Sequence, residues 1–304
     1  MVASLVPGIK RGLLQDETRR PGGPGVRGLV RKLLRRQNAT SGLNQQRRQM
    51  NRATQELLPV PGPNVRREYL RLPGELSALT RGFGIALPLE LQRDAAVLAF
   101  SIECADRFLD AIPQAARRAQ FGAEVLSCLR GEPSANGNLM PELTGWLTEL
   151  REVAERHGAG ARFREIVGEL LRNSEAMRLT RCHTRFVACA LREGRLMVEL
   201  LLLLLAKVST PQFDSFMRRL SGPANLIDKL RDARRDFQNG EIAARPTWKF
   251  HARLIGELLM RIARLAPVSL VHWRLAHWGV HSVLSELICQ SERGQPCPQV
   301  SCAG

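Results

Sequence analysis

From Leu91 onward apolar residues return every third or fourth position, the pattern of helices with one buried face. In 91–112 the stripe runs through Leu91, Ala95, Leu98, Ala99, Ile102, Phe108, Leu109 and Ile112. The same period predicts helices over 114–130, 139–157, 161–177, 179–207, 211–238, 246–264 and 267–290. Breakers separate them: GEPSANGN (131–138), HGAG (157–160), Ser209-Thr210-Pro211, NGE (239–241) and Ala266-Pro267. No stretch alternates as a strand would, and no period of roughly 30–45 residues repeats. The expectation is an all-α fold, a large bundle of helices rather than a solenoid. The longest apolar run, Leu200 to Leu205, is bracketed by Glu199 and Lys207. It is too short to span a bilayer and reads as part of a core helix.

The pattern stops at both ends of the chain. Residues 1–65, up to and just past PVPGP (59–63), read as a basic and largely disordered arm, 66–290 as the helical domain, and 291–304 as a loose tail. Residues 1–60 carry twelve Lys and Arg against three acids, so +9 of the formal +16 lies there. With PGGPG at 21–25 and few aromatics, this arm buries too little apolar surface to offset the entropy of ordering. One piece differs: in GVRGLVRKLLRR (25–36), Val26, Leu29, Val30, Leu33 and Leu34 oppose five basic residues. That amphipathic stretch suits an anionic membrane surface, a nucleic acid or a plain solvated tail.

A pI near 10.9 on 304 residues calls for an anionic partner, whether nucleic acid, membrane or a phosphorylated substrate. The seven cysteines contain no CxxC pair, and with no secretory leader they predict reduced thiols and a cytoplasmic protein, peripheral to the membrane if the arm binds it.

The carboxylates sharpen the picture. The chain has eight aspartates, and five fall into two sets at four-residue spacing: Asp106/Asp110 in ECADRFLDAI and Asp228/Asp232/Asp236 in NLIDKLRDARRDFQNGEI. Carboxylates at i and i+4 share one helix face and repel each other, which costs stability unless a cation joins them. Both sets also adjoin apolar residues, where bare carboxylates are least tolerable. Oxygen ligands from two helices are what Mg²⁺ uses when it bridges to a diphosphate, with arginines taking the remaining phosphate charge. The competing reading is that Asp232 and Asp236 pair with Arg231, Arg234 and Arg235 on a solvated face.

At these residues the chain resembles a known family. LPLELQRDAAVLAFSIECADRFLD (87–110) is similar to the first motif region of the squalene/phytoene synthases, and NLIDKLRDARRDFQNGEI (225–242) to their second. The triple DxxxDxxxD also resembles large-terpene cyclases of the tetraprenyl-curcumene synthase type. The resemblance spans roughly 66–290 and points to the class I isoprenoid synthase superfamily. It implies an all-α domain with a central cavity, two facing aspartate-rich helices and Mg²⁺-triggered loss of diphosphate from a prenyl diphosphate. Carried over, Asp106 and Asp110 match the first metal site and Asp228 and Asp232 the second, while Asp236 matches only the triple variant. Arg178, Arg181 and Arg185 are the candidates for the diphosphate contact, Arg181 first among them. The chain departs from the family where Ala105-Asp106 replaces an aspartate pair, and in having Tyr69 as its single tyrosine. Sparse aromatics argue against an elaborate polycyclase, because carbocations are commonly shielded by aromatic faces.

Lesser features are read as structural. His272, His277 and His281 lack a completing acid set, and Cys182, His183 and Cys189 lack ligand spacing. Gly194 within ALREGRLMVELL marks either a helix break beside the cavity or close helix packing. Two functions follow: an enzyme that ionises a prenyl diphosphate, or a non-catalytic helical protein whose arm binds nucleic acid or membrane.

Overall fold

Eight α-helices make up the described part of the chain: α1 (Arg67–Gly82), α2 (Leu89–Asp110), α3 (Ala115–Arg130), α4 (Pro141–Arg156), α5 (Gly160–Leu179), α6 (His183–Leu205), α7 (Pro211–Gln238) and α8 (Trp248–Val271). The computed structural model describes residues 67–132 and 139–271, and their side chains within 73–265. The basic arm, the stretch 25–36, the histidines at 272, 277 and 281 and the tail lie outside the described residues. Among the described residues there is no strand, as the apolar period predicts, and the fold is an all-α bundle.

Local chemistry explains the helix ends. Thr210 caps α7 by accepting from the Phe213 N–H at 3.3 Å, with Pro211 in the first turn where its missing N–H costs nothing. Gly131 closes α3 at φ 78°, a left-handed conformation that glycine adopts without strain. The break between α5 and α6 falls at 180–182, where Thr180 is extended and its hydroxyl accepts from the Cys182 N–H. Arg178, Arg181 and Arg185 therefore do not share one helix. The expected stop at Ala266-Pro267 is also absent, since α8 runs through to Val271. Likewise α7 passes through Pro223, which removes one backbone donor without ending the helix.

Packing proceeds largely between neighbours in sequence. α1 lies on α2, α2 on α4 and α6, α5 on α6, α6 on α7, and α7 on α8. Three apolar clusters result. One joins α2 to α6 around Phe100, Leu143, Trp146, Phe163 and Leu200; a second ties the start of α7 to α1 through Leu76, Phe213 and Phe216. The third, around Phe186, Leu226, Phe250 and Leu254, fastens α8 to α6 and α7. Phe163, Phe186, Phe213 and Phe250 are fully buried. Truncating any one of them to alanine costs about 3–5 kcal/mol.

Gly194 settles its own alternatives. A Cβ there would stand 2.5 Å from the Ser221 carbonyl oxygen and 2.9 Å from Asn225 Cβ. α6 is unbroken across it, so glycine serves the close approach of α6 to α7 and marks no helix break. That approach positions the functional site.

Candidate functional site

The close α6–α7 crossing brings Glu193 under the aspartate face of α7. Asn225 Nδ2 donates to Glu193 Oε2 at 3.0 Å and to the Ala190 carbonyl at 2.5 Å. Lys229 Nζ then reaches the same Glu193 oxygen at 3.0 Å. Successive helical positions turn by about 100°, so Asn225, Asp228, Lys229, Asp232 and Asp236 share one face of α7. Lys229 is thus a cation set among the carboxylates rather than part of the solvated arginine face.

The other set meets this one through Lys229. Asp106 and Asp110 sit in the last turns of α2, and α6 packs on both α2 and α7. Lys229 feels the negative charge of Glu193, Asp228 and Asp106 together, which outweighs the cost of its burial and raises its pKa. Lys229 is thus within electrostatic reach of Asp106 as well as of Asp228. From α5, Arg178 Nη2 donates to Asp110 Oδ1. Among the described residues Arg178 Nε is buried with no hydrogen-bond acceptor. Such an orphaned donor costs on the order of 1–3 kcal/mol until an acceptor arrives.

The protonation states differ across the centre. Lost hydration, reinforced by repulsion from Asp110, pushes the Asp106 carboxyl up to about 7, although Lys229 and Arg178 pull it down. Burial also raises Asp228, which is nonetheless 47% exposed and so stands recessed rather than sealed; Lys229 and Arg231 oppose the shift. Asp236 is buried and rises to about 6, through lost hydration first and the nearby Glu241 second.

The α7 aspartates are nonetheless largely neutralised by their own helix. Arg231 donates to Asp228 at 2.8 Å and to Asp232 at 3.0 Å, and Arg235 donates to Asp236 at 3.1 Å. This is the pairing that the competing reading expected for Asp232 and Asp236. Among the described residues no three Asp, Glu, His or Cys side chains stand grouped as a metal-binding set. The donors near Lys229 are all oxygens of Asp, Glu and Asn, which is the chemistry Mg²⁺ selects. The donor type is right for that ion, but among the described residues the oxygens are not gathered into one set, and Arg178, Lys229 and Arg231 already balance charge on these carboxylates.

The remaining candidates separate. Arg181 is exposed in the α5–α6 connection. Arg185, with Arg172, Arg192, Asn173, Glu169 and Cys189, lines a groove of about 420 Å³ to which none of the five aspartates contributes. Cys189 is buried as expected, whereas Cys182 is exposed at the start of α6. Asp94, outside both sets, is no idle carboxylate. It is 1% exposed and accepts from Arg156 at 2.7 Å, with His157 Nε2 at 2.8 Å. Glu193 and Lys229, which the sequence reading passed over, are the residues that join the two helices. No family model, curated protein or solved structure matches this chain.

Proposed function

We propose that the protein catalyses Mg²⁺-dependent ionisation of a prenyl diphosphate, yielding a terpene or a coupled isoprenoid. The observation that carries this reading is the position of Lys229, within electrostatic reach of carboxylates from both aspartate sets. Asp106 and Asp110 from α2, Arg178 from α5, Glu193 from α6, and Asp228 and Lys229 from α7 form one charged centre. Asp106, Asp110, Asp228 and Asp232 are the residues that would hold Mg²⁺, whose chemistry there would be to offset the negative charge of the diphosphate.

The chain's own residues do the rest. Arg178 offers its unpaired Nε to a diphosphate oxygen while its Nη2 keeps Asp110 in place. Lys229, anchored by Glu193, supplies a fixed positive charge where the allylic C–O bond breaks and both bonding electrons leave with the diphosphate. The allylic cation then loses a proton to the released diphosphate, or is captured by a second prenyl double bond and the new cation gives up a proton to that diphosphate. Asp236, paired with Arg235 further along α7, supports the register of that face. Arg178 replaces Arg181 as the diphosphate contact. Five of the ten phenylalanines are fully packed in the core, which favours a simple lyase or condensation over a polycyclisation.

A second reading has its own observation. Because Arg178, Lys229, Arg231 and Arg235 pair with the carboxylates, the centre is also a self-contained ion network in a non-catalytic helical protein. Diphosphate release from prenyl diphosphates of about ten to twenty carbons, alone and in pairs, separates the two. Mg²⁺-dependent release supports the enzyme. No release from any of them leaves the ion network as the account.

A further inference from the structure

The last described helix carries an apolar face turned away from the bundle. Phe250, Leu254 and Leu265 anchor α8 in the core. On the far side Trp248, Ile255, Leu259 and Ile262 are 75%, 45%, 61% and 44% exposed. At about 100° per residue these four side chains fall within an arc of about 60°. Ala252, Gly256 and Ala263 extend it, all exposed, and a Cβ at Gly256 would meet nothing within 4 Å. A solvent-facing helix arc is normally polar, so an uncovered row of this kind marks an interaction surface.

Charge decides between partners. Lys249, Arg253 and Arg264 are exposed along one border of the row. Within 248–265 the only acid is Glu257, which is half-buried and held by Arg261 at 2.8 Å. A second copy packed face to face would bring these cations against their own kind. An anionic lipid surface satisfies both parts, taking the apolar row into the headgroup boundary and the cations onto its phosphates. Trp248 at the end of the row suits the same boundary, where an indole keeps one edge wet. Among the described residues no helix is long and apolar enough to cross a membrane.

We propose that this face of α8 lies on an anionic bilayer surface, with Trp248, Ile255, Leu259 and Ile262 inserted and Lys249, Arg253 and Arg264 contacting lipid phosphates. It is distinct from the basic stretch 25–36 and does not depend on the proposed reaction.

The test is flotation of the full chain with phosphatidylglycerol/phosphatidylcholine vesicles and with phosphatidylcholine vesicles alone. The double change Ile255→Glu/Leu259→Glu should weaken binding to the anionic vesicles at least about tenfold, with the thermal midpoint unchanged because both positions are exposed. Lys249→Gln/Arg253→Gln/Arg264→Gln should weaken binding to anionic vesicles only, an effect that high salt reproduces in the wild type. Quenching of tryptophan fluorescence by brominated lipid should fall in Trp248→Phe. If the double variant loses helical signal, Leu259→Ser with the quenching measurement takes its place. Unchanged vesicle binding in the glutamate variant overturns the proposal. So does a drop from dimer to monomer mass with vesicle binding intact, which assigns the face to a second copy.

Discussion

The aspartate pair of α2 and the aspartate triple of α7 share one spacing and differ in electrostatic state. On α7 each carboxylate accepts from an arginine of its own helix, Arg231 for Asp228 and Asp232, and Arg235 for Asp236. On α2, Asp110 accepts from a cation of another helix, Arg178, and Asp106 is pushed up to about 7 by burial and its neighbour Asp110. Spacing alone places carboxylates on a face; the cations within reach decide whether they are satisfied or poised. The α7 set is paired along its own helix, although burial still holds Asp228 and Asp236 above the usual carboxylate range. The α2 set takes its contact from a neighbouring helix.

The largest expected effect tests whether this difference matters to chemistry. Under the proposed reaction Asp106→Asn should lower diphosphate release on the order of a hundredfold, as loss of one strong electrostatic contact does. Asp228→Asn should act in the same direction, and the double change should fall short of the product of the singles because both serve one centre. Equal and fully multiplicative losses would show two independent sites.

Next in size is a stability effect away from the centre. Asp94→Asn removes a buried acceptor from Arg156 and His157, and should cost about 2–3 kcal/mol in urea unfolding.

A pH dependence sharpens the contrast between the two sets. Asp106 binds its proton more tightly in the folded protein than at its ordinary value of 3.8. As pH rises from about 4 to about 7 the unfolded chain releases that proton first, so this group's contribution to stability falls across the window and is flat above it. Asp106→Asn should accordingly be more stable than the wild type at pH 8, with the gap closing toward pH 4. Under the proposed reaction Mg²⁺ affinity should tighten over the same window, since binding at Asp106 would displace its proton. A wild type and variant with parallel stability profiles would contradict the assignment.

The smallest effect is the control. Glu165→Gln removes an exposed partner of Arg162 on α5, far from the aspartates in sequence, and should change stability by no more than about 0.5 kcal/mol and leave turnover unaltered.

Much of the bundle was legible because packing follows the apolar period. The stripe from Leu91 to Ile112 became α2, and Ser209-Thr210-Pro211 did begin α7. The reading faltered where a local signal competes with tertiary contact. α1 carries Pro73 and a short apolar face, and was not singled out as a helix; Pro267 read as a stop, yet α8 passes through it. At the site, the aspartates were visible because their spacing is local. Lys229 was not, because it sits in a run crowded with arginines and its partner lies 36 positions away at Glu193. Only the contact enforced at Gly194 reveals that pairing.

The central claim is that the two aspartate sets form one centre through Lys229. It is tested most directly by following the Asp106 carboxyl by NMR in the wild type and in Lys229→Met. In the wild type it should titrate at about 7. Removing a cation that favours the charged form should move that titration upward in the variant, with the spectrum otherwise preserved. A midpoint that does not move would show that the helices hold two separate sets of carboxylates and that the centre does not exist.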